Sequence, residues 1–362
     1  GLALLETQHV DIVFCDLSMP EMDGLAFLRH LGEAGHQASV VVVSSHDDAL
    51  ISSVEKMAHA YGVALLRALK KPLTREKIAE VIEQHEKRLA KGARRAAEMP
   101  SFDLADMLRG MQAGEFTAFY QPQIDFRTGA LRGAEALARW RHPQHGIVAP
   151  GAFIAALEKA GHIDDLTFLM LAQSALTCRR MAESGLRLDF SVNLSLTSLG
   201  LPHLAEQMAD TVRAAGVEPA QMVLEVTESA AMTDLGHSLE NLARLRLLGF
   251  RLSVDDYGTG FSNIQQISRI AFQELKIDQS FVKGALRDEG QRIIVRSSID
   301  MAHQLGMSCV AEGVETADHW QNMHGMGCDV AQGYYIAKPM DAEALAGFCA
   351  RHAAGWTPAE AV

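Results

Sequence analysis

The chain has 362 residues and a formal net charge of −12 at pH 7. That length admits two domains, one of them a barrel of more than about 200 residues, and the acidic balance excludes broad binding to nucleic acid, which needs a basic excess against phosphates. Five scattered cysteines, Cys15, Cys178, Cys309, Cys328 and Cys349, show no CxxC spacing, the pattern of free thiols in a reducing compartment rather than of a disulfide framework or a zinc site.

Apolar runs such as Val40 to Val43 are too short to span a bilayer, and no signal-peptide pattern opens the chain. A cytoplasmic protein without membrane contact is therefore expected. The first residues, GLALLETQ, read as the middle of a helix, so a longer native chain is expected as well.

Strand and helix alternate up to about Lys91. Val10 to Cys15 is an apolar strand ending at Asp16, a helix runs from Gly24 to Gly32, and Ser39 to Val43 is a second buried strand. A helix over Asp47 to His59, a strand over Val63 to Leu69 and a helix capped by Thr74 and reaching Arg88 follow. Such alternation predicts a parallel, doubly wound sheet with its chemistry at the carboxyl ends of the strands, where Asp16, Ser44 and Lys71 fall. The segment FCDLSMPEMDG, with Ser44 and the Lys71-Pro72 pair, resembles the receiver domain of two-component response regulators. The resemblance implies Asp16 as phosphoacceptor, Ser44 as switch hydroxyl, Lys71 as phosphate contact and a histidine kinase as partner. The family's first strand and helix, which carry its acidic Mg²⁺ ligands, have no counterpart in this sequence, so inefficient phosphorylation and an open sheet edge are expected.

The domain reading is a receiver over residues 1–91, a connector over 92–112 and a barrel over 113–355. Residues 87–112 shift to a basic, Ala-rich composition broken by Pro100, which reads as a solvated connector helix. Beyond Gly114, eight strand-like segments each end in polar or charged residues. AFYQP carries Gln121, RGAEALARW carries Glu135 and Arg139, RLDFSVNLS carries Asn193, and MVLEVTES carries Glu225 and Glu228. RLSVDD carries Asp255 and Asp256, ELKID carries Lys276 and Asp278, SCVAEGVE carries Glu312 and Glu315, and VAQGYYI carries Gln332. Amphipathic helices over Thr167 to Glu183, His203 to Ala215, Gly236 to Leu248, Gln291 to Leu305 and Asp341 to His352 separate them. This predicts a modified (β/α)₈ barrel with its site at the carboxyl ends of the strands. The turn at Arg127 to Gly129 predicts that the first two barrel strands form an antiparallel hairpin.

Brought together, Glu135, Asn193, Glu225, Asp255 and Asp256 offer oxygen ligands alone, which suit Mg²⁺ or Mn²⁺ and speak against zinc or iron. Four carboxylates make one ion feasible and two plausible, with Asp255 bridging them, a pair suited to phosphodiester hydrolysis. Lys276 would be a fixed cation near the water, and Glu312 a ligand or a general base.

GAEALARWRHP, SVNLS, LEVTES, DDYGTGFSN, LKID, AEGVE and QGYYIAKP together resemble the EAL family of cyclic di-GMP phosphodiesterases over about two-thirds of the chain. The resemblance implies hydrolysis of cyclic di-GMP to linear pGpG with Mg²⁺ or Mn²⁺, in a dimer or higher homo-oligomer. It implies Glu135, Asn193, Glu225 and Asp255 as ligands of a first ion and Asp256 at a second, with Lys276 and Glu312 handling the water. Gln121, Arg139, Asp278, Glu315 and Gln332 would contact or frame the substrate, and Glu228 would steady the loop after Asp256. Tyr257, Phe261 and Asn263 depart from the expected residue types without touching a ligand position. The alternative is a catalytically silent EAL module that senses the nucleotide or binds a protein, which loss of a ligand or of Lys276 would favour; neither is lost.

Overall fold

The computed structural model describes residues 2–8, 10–19, 22–34, 36, 38–45, 54, 57–58, 61–98, 102–227, 236–258 and 270–353. The chain divides into two compact units, Gly1–Pro100 and Ser101–Val362.

In the first unit a short helix, α1 (Leu2–Thr7), precedes β1 (Ile12–Asp16), α2 (Gly24–Glu33), β2 (Ser39–Ser44), β3 (Leu65–Lys70) and α3 (Arg75–Glu98). The strands are parallel in the order β1-β2-β3. Every residue of β2 is buried because both of its faces are covered. Val40 and Val42 pack with Leu28 and Leu31 of α2, while Val41 and Val43 pack on the opposite face with Leu69 and with Val81 of α3. A strand covered on both faces reads as an unbroken apolar run, which explains SVVVVS. Asp23 caps α2 by accepting from the Ala26 amide at 2.7 Å. The third helix runs ten residues past the expected end at Arg88, and the helix expected over 47–59 lies mostly outside the described residues.

The second unit opens with α4 (Leu104–Gln112), a segment read from sequence as part of the connector; its Met107 is buried in the barrel core. Then come β4 (Phe116–Asp125), β5 (Leu131–His142), β6 (Gly146–Val148), α5 (Ile154–Ala160), α6 (Ile163–Glu183), β7 (Asp189–Asn193) and α7 (Leu204–Ala214). The chain continues through β8 (Met222–Thr227), α8 (Gly236–Leu247), β9 (Arg251–Tyr257), β10 (Glu274–Ile277), α9 (Gln279–Gly284) and α10 (Glu289–Gln304). It ends with β11 (Ser308–Ala311), α11 (Ala317–Gly325), β12 (Val330–Gln332) and α12 (Ala342–Ala353).

The sheet order is β4-β12-β11-β10-β9-β8-β7-β5-β6, and a further β4–β5 pairing closes it into a barrel, with β6 appended to β5 as a hairpin. Neighbours from β5 and β7 round to β12 run parallel. The strand β4 is antiparallel to both of its neighbours, as the turn at Arg127 to Gly129 predicts. That turn is held by Asp125, whose carboxylate accepts from the Thr128 amide and hydroxyl at 2.7 Å each. The sequence reading omits α5, α9 and α11, which have only 6 to 9 residues each, because fewer than three turns give little periodic signal.

An aromatic seat anchors the start of the barrel. Trp140 is fully buried, stacks on Phe116 with ring centroids 4.9 Å apart, and donates from its indole nitrogen to Glu115 Oε2 at 2.9 Å. Trp140→Ala should therefore cost about 3–5 kcal/mol, chiefly through the cavity, since Arg109 still donates to both Glu115 carboxylate oxygens. Urea unfolding followed by circular dichroism measures it, and a loss below about 1 kcal/mol would contradict this packing account.

Candidate active site

The functional side chains gather where the parallel strands end. Backbone register places Asn193 opposite Glu225 and Thr227 opposite Asp255, so successive strands deliver their polar residues at one level. At the centre lies the Lys276 side chain on β10, wholly excluded from solvent. Its ammonium Nζ stands 2.7 Å from Glu225 Oε2, 2.7 Å from Glu312 Oε1, 3.2 Å from Glu135 Oε2 and 3.4 Å from Asp255 Oδ1. Glu135 is held on its other side: Asn193 Nδ2 donates to Oε1 at 3.0 Å and Gln332 Nε2 to Oε2 at 2.5 Å. Gln332 in turn donates to Gln121 Oε1 at 3.2 Å and accepts from Gln123 Nε2 at 2.8 Å.

Asp255 and Asp256 are neighbours in sequence, and neighbours in a regular strand point to opposite faces. Here the backbone breaks that rule. Between β9 and β10 the register slips, Leu275 facing Val254 and Ile277 facing Tyr257, so one extra residue bulges from β9. Asp256 takes a left-handed φ of 55°. The result is that carboxylate oxygens of Asp255, Asp256 and Glu312 all lie within 4.8 Å of one another.

One ammonium serves five carboxyl groups here, and their acidities show the shortfall. Burial works against the Lys276 ammonium, but Asp255, Glu135, Glu225 and Glu312 outweigh it and hold its pKa well above the usual lysine value. Burial, then repulsion from Glu135 and Asp255, drives Glu225 well above the carboxylate range. Burial with the Asp255 and Glu135 charges pushes Glu312 up to about 8, and burial with Asp255 and Asp278 pushes Asp256 to about 6. Glu135 is also opposed by burial, yet Lys276, Gln332 and Asn193 keep it below its ordinary value. Glu225 Oε1 is buried with no hydrogen-bond partner among the described residues. An all-oxygen donor set, an unpartnered buried carboxylate oxygen and repelling acids are what a hard divalent cation fits.

Beside this cluster opens a cleft of about 310 Å³, bounded by Gln121, Glu135, Asp255, Glu312, Glu315 and Gln332 among others. Two polar residues of its wall, Gln279 and Tyr334, escape the sequence reading, as does Lys283 behind them, which pairs with Glu315 at 2.9 Å and donates to Gln279 Oε1 at 2.9 Å. Their signal was adjacency, since Gln279 follows LKID and Tyr334 follows Gln332-Gly333. Gly333 has a physical reason to be glycine, because a Cβ there would sit 2.1 Å from the Val314 carbonyl oxygen.

Two residues assigned to substrate also make local contacts. The Asp278 carboxylate caps α9, accepting from the Ser280 amide at 2.9 Å and from its hydroxyl. Arg139 lies on β5 four residues beyond Glu135, donates to the Ala138 carbonyl at 2.8 Å and stands over the Phe119 ring at 5.9 Å. Glu228 lies outside the described residues. In the first unit Asp16, Ser44 and Lys71 converge at the strand ends: Lys71 Nζ donates to Asp16 Oδ2, and the Ser44 carbonyl accepts from the Lys71 amide at 2.9 Å. The Lys71 hydrogen bond holds the Asp16 carboxyl below its ordinary pKa.

A barrel with acids and one buried lysine at its strand ends, in a chain that also carries a small parallel sheet with an Asp-Lys pair, defines a two-module protein. The EAL domain family matches residues 104–339 and the response regulator receiver domain family matches residues 1–83. The chain belongs to the EAL domain family and carries a receiver domain ahead of its EAL domain. It is 35% identical over 352 residues to the cyclic di-GMP phosphodiesterase RocR of Pseudomonas aeruginosa, covering 96% of this chain and 89% of that protein. It is also 35% identical over 246 residues to the bifunctional diguanylate cyclase/cyclic di-GMP phosphodiesterase MucR of the same organism, there covering 67% of this chain and 36% of that protein. Among solved structures, the MucR phosphodiesterase in complex with cyclic di-GMP superposes with a TM-score of 0.64 at 34% identity, over 67% of this chain and 98% of the other. The EAL enzyme Bd1971, bound to cAMP and cyclic di-GMP, gives 0.64 at 25% identity over 77% of each chain.

Two expected outcomes follow from the site's charge. Asp256 and Glu312 titrate near 6 and 8 in the folded chain, against roughly 4 for a free carboxyl. The folded state then holds more protons than the unfolded one, so cation-free stability falls as pH rises from about 4 to about 8. A divalent cation supplies the missing charge, so the gain in Tm on adding it should be larger at about pH 9 than at about pH 6; equal gains in scanning calorimetry would refute the charge account. Asp256→Gly removes both the left-handed strain, about 1–3 kcal/mol, and one repelling charge. That variant should gain less in Tm than the parent when cation is added.

Proposed function

We propose that this chain hydrolyses cyclic di-GMP to linear pGpG with Mg²⁺ or Mn²⁺, two ions per site, under the control of its receiver domain. The observation that carries this reading is the fully buried Lys276 ammonium amid Glu135, Glu225, Asp255 and Glu312, next to a cleft large enough for part of a nucleotide. The RocR relative, similar along nearly the whole chain, supplies the substrate.

Glu135, Asn193, Glu225 and Asp255 would hold one ion and Asp255 with Asp256 the other. When bound, the ions lower the pKa of a water and offset charge on the phosphate. Asn193 already turns its amide nitrogen to Glu135, which leaves its amide oxygen as the donor for a cation. Lys276 restrains the four carboxylates around it and keeps a positive charge beside the reacting phosphate. Glu312, at the cleft wall and 2.7 Å from Lys276, is the group placed to hold or move the proton of the attacking water. Gln121 and Gln332 are coupled to Glu135 and frame the cleft floor, with Glu315 at the rim. Asp278 serves by fixing the turn after β10, and Arg139 is positioned on the face of β5 that carries Glu135. In the receiver domain, Asp16 with Ser44 and Lys71 forms the phosphoacceptor site addressed by a histidine kinase.

The test is turnover of cyclic di-GMP by purified protein, with pGpG followed by chromatography. Activity should require Mg²⁺ or Mn²⁺, vanish with chelator and in Glu135→Ala, and fall by about 100-fold or more in Glu312→Gln. Nucleotide binding without turnover in the parent protein would overturn the catalytic reading in favour of a sensor.

A further inference from the structure

At the opposite end of the barrel a second group of metal-ligating side chains comes together. His303 lies in the last turn of α10, Cys309 is the second residue of β11, and Asp329 immediately precedes β12. Their ligand atoms, one imidazole nitrogen, one thiol sulfur and one carboxylate oxygen, all lie within 4.8 Å of one another. Val310 is paired with the inward-pointing Lys276, so strand alternation turns Cys309 outward beneath α10. Cys309 near the start of β11 and Glu312 just past its end are three residues apart, roughly 10 Å, which separates this group from the acids at the carboxyl end.

We propose that His303, Cys309 and Asp329 bind a zinc-class divalent cation at the amino-terminal rim of the barrel, pinning α10 to the starts of β11 and β12. The donor chemistry is that of a borderline metal: nitrogen, sulfur and oxygen suit Zn²⁺ or Co²⁺ and not Mg²⁺. The ligands are pre-oriented. Asp329 Oδ2 accepts from the Cys309 amide at 2.8 Å and lies 2.8 Å from His303 Nε2, while the Asp329 amide donates to the Cys309 carbonyl at 3.2 Å. These bonds fix the carboxylate that a metal ligand needs oriented. Cys309 is fully buried and His303 is exposed, so the ion enters from the His303 side, where water completes four-coordination. On binding, the Cys309 thiol and any protonated His303 release their protons to solvent, and the thiolate, the carboxylate and a neutral imidazole leave the complex without net charge. An ordinary surface ion pair accounts for His303 and Asp329 but gives no role to the sulfur beside them. Sequence spacing hides this site because its ligands come from three separate elements rather than from a CxxC pair.

The test uses the full chain, stripped with chelator and titrated with Co²⁺. The catalytic acids contain no sulfur, so a near-ultraviolet thiolate-to-cobalt absorption separates this site from them, and its loss in Cys309→Ser separates it from the other four cysteines. It should saturate at one Co²⁺ per chain, be displaced by Zn²⁺, disappear in Cys309→Ser, and require at least about tenfold more metal in His303→Ala. His303 is on the surface, so that variant keeps the test valid if Cys309→Ser fails to fold. No thiolate absorption in the parent protein, or absorption unchanged in either variant, would overturn the proposal.

Discussion

The barrel is organised around a lysine that water cannot reach. An ammonium in a protein interior is tolerated when its charge is met, and Lys276 meets carboxylates from β5, β8, β9 and the end of β11. The arrangement ties the ends of four barrel elements to one atom, and any strand that slipped in register would leave a buried acid or the ammonium itself without a partner. The same atom makes the site incomplete as it stands: one positive charge cannot satisfy five acids, and the raised pKa values of Glu225, Glu312 and Asp256 record the deficit. Structural integrity and the demand for further cations therefore have one origin.

The bulge in β9 is the second device. A regular strand would have sent Asp256 to the helix side of the barrel, away from Asp255. Left-handed backbone at a non-glycine residue is unfavourable, and it persists because the slip between Leu275 and Ile277 is locked by pairing on either side. The strain is spent where it brings a third acid to the cleft. On the facing wall, the absence of a side chain at Gly333 allows the chain after β11 to lie directly against it, which sets Glu312, Glu315 and Tyr334 around one cleft.

Much of this was legible residue by residue. The continuous run SVVVVS foretold a strand covered on both faces, the RTG turn foretold the antiparallel β4, and polar residues closing eight apolar segments foretold a barrel with its site at one end. Short helices were not legible, because six to nine residues carry too little period. Asp278 illustrates a deeper limit: an acid after a strand has the same appearance in sequence whether or not it also caps the next helix, and only the structure shows that it caps α9. Gln279 and Lys283 were invisible for the complementary reason, since uncharged or surface-typical residues gain a role beside the cleft only through the partners they meet, Lys283 for Gln279 and Glu315 for Lys283.

What the sequence determined by itself was composition at each level of the barrel: which residue closes each strand, and hence an all-oxygen donor set with one lysine. Alternation and strand length encode that information locally, so it survives without coordinates. What only the tertiary structure decided was convergence and sharing. The register of eight strands brings Lys276 within reach of four acids, a one-residue bulge turns Asp255 and Asp256 to the same side, and the rim group of His303, Cys309 and Asp329 assembles from α10, β11 and the residue before β12. These are contacts between residues distant in sequence, set by backbone hydrogen bonding across strands and by packing of helix on sheet, which no local pattern specifies.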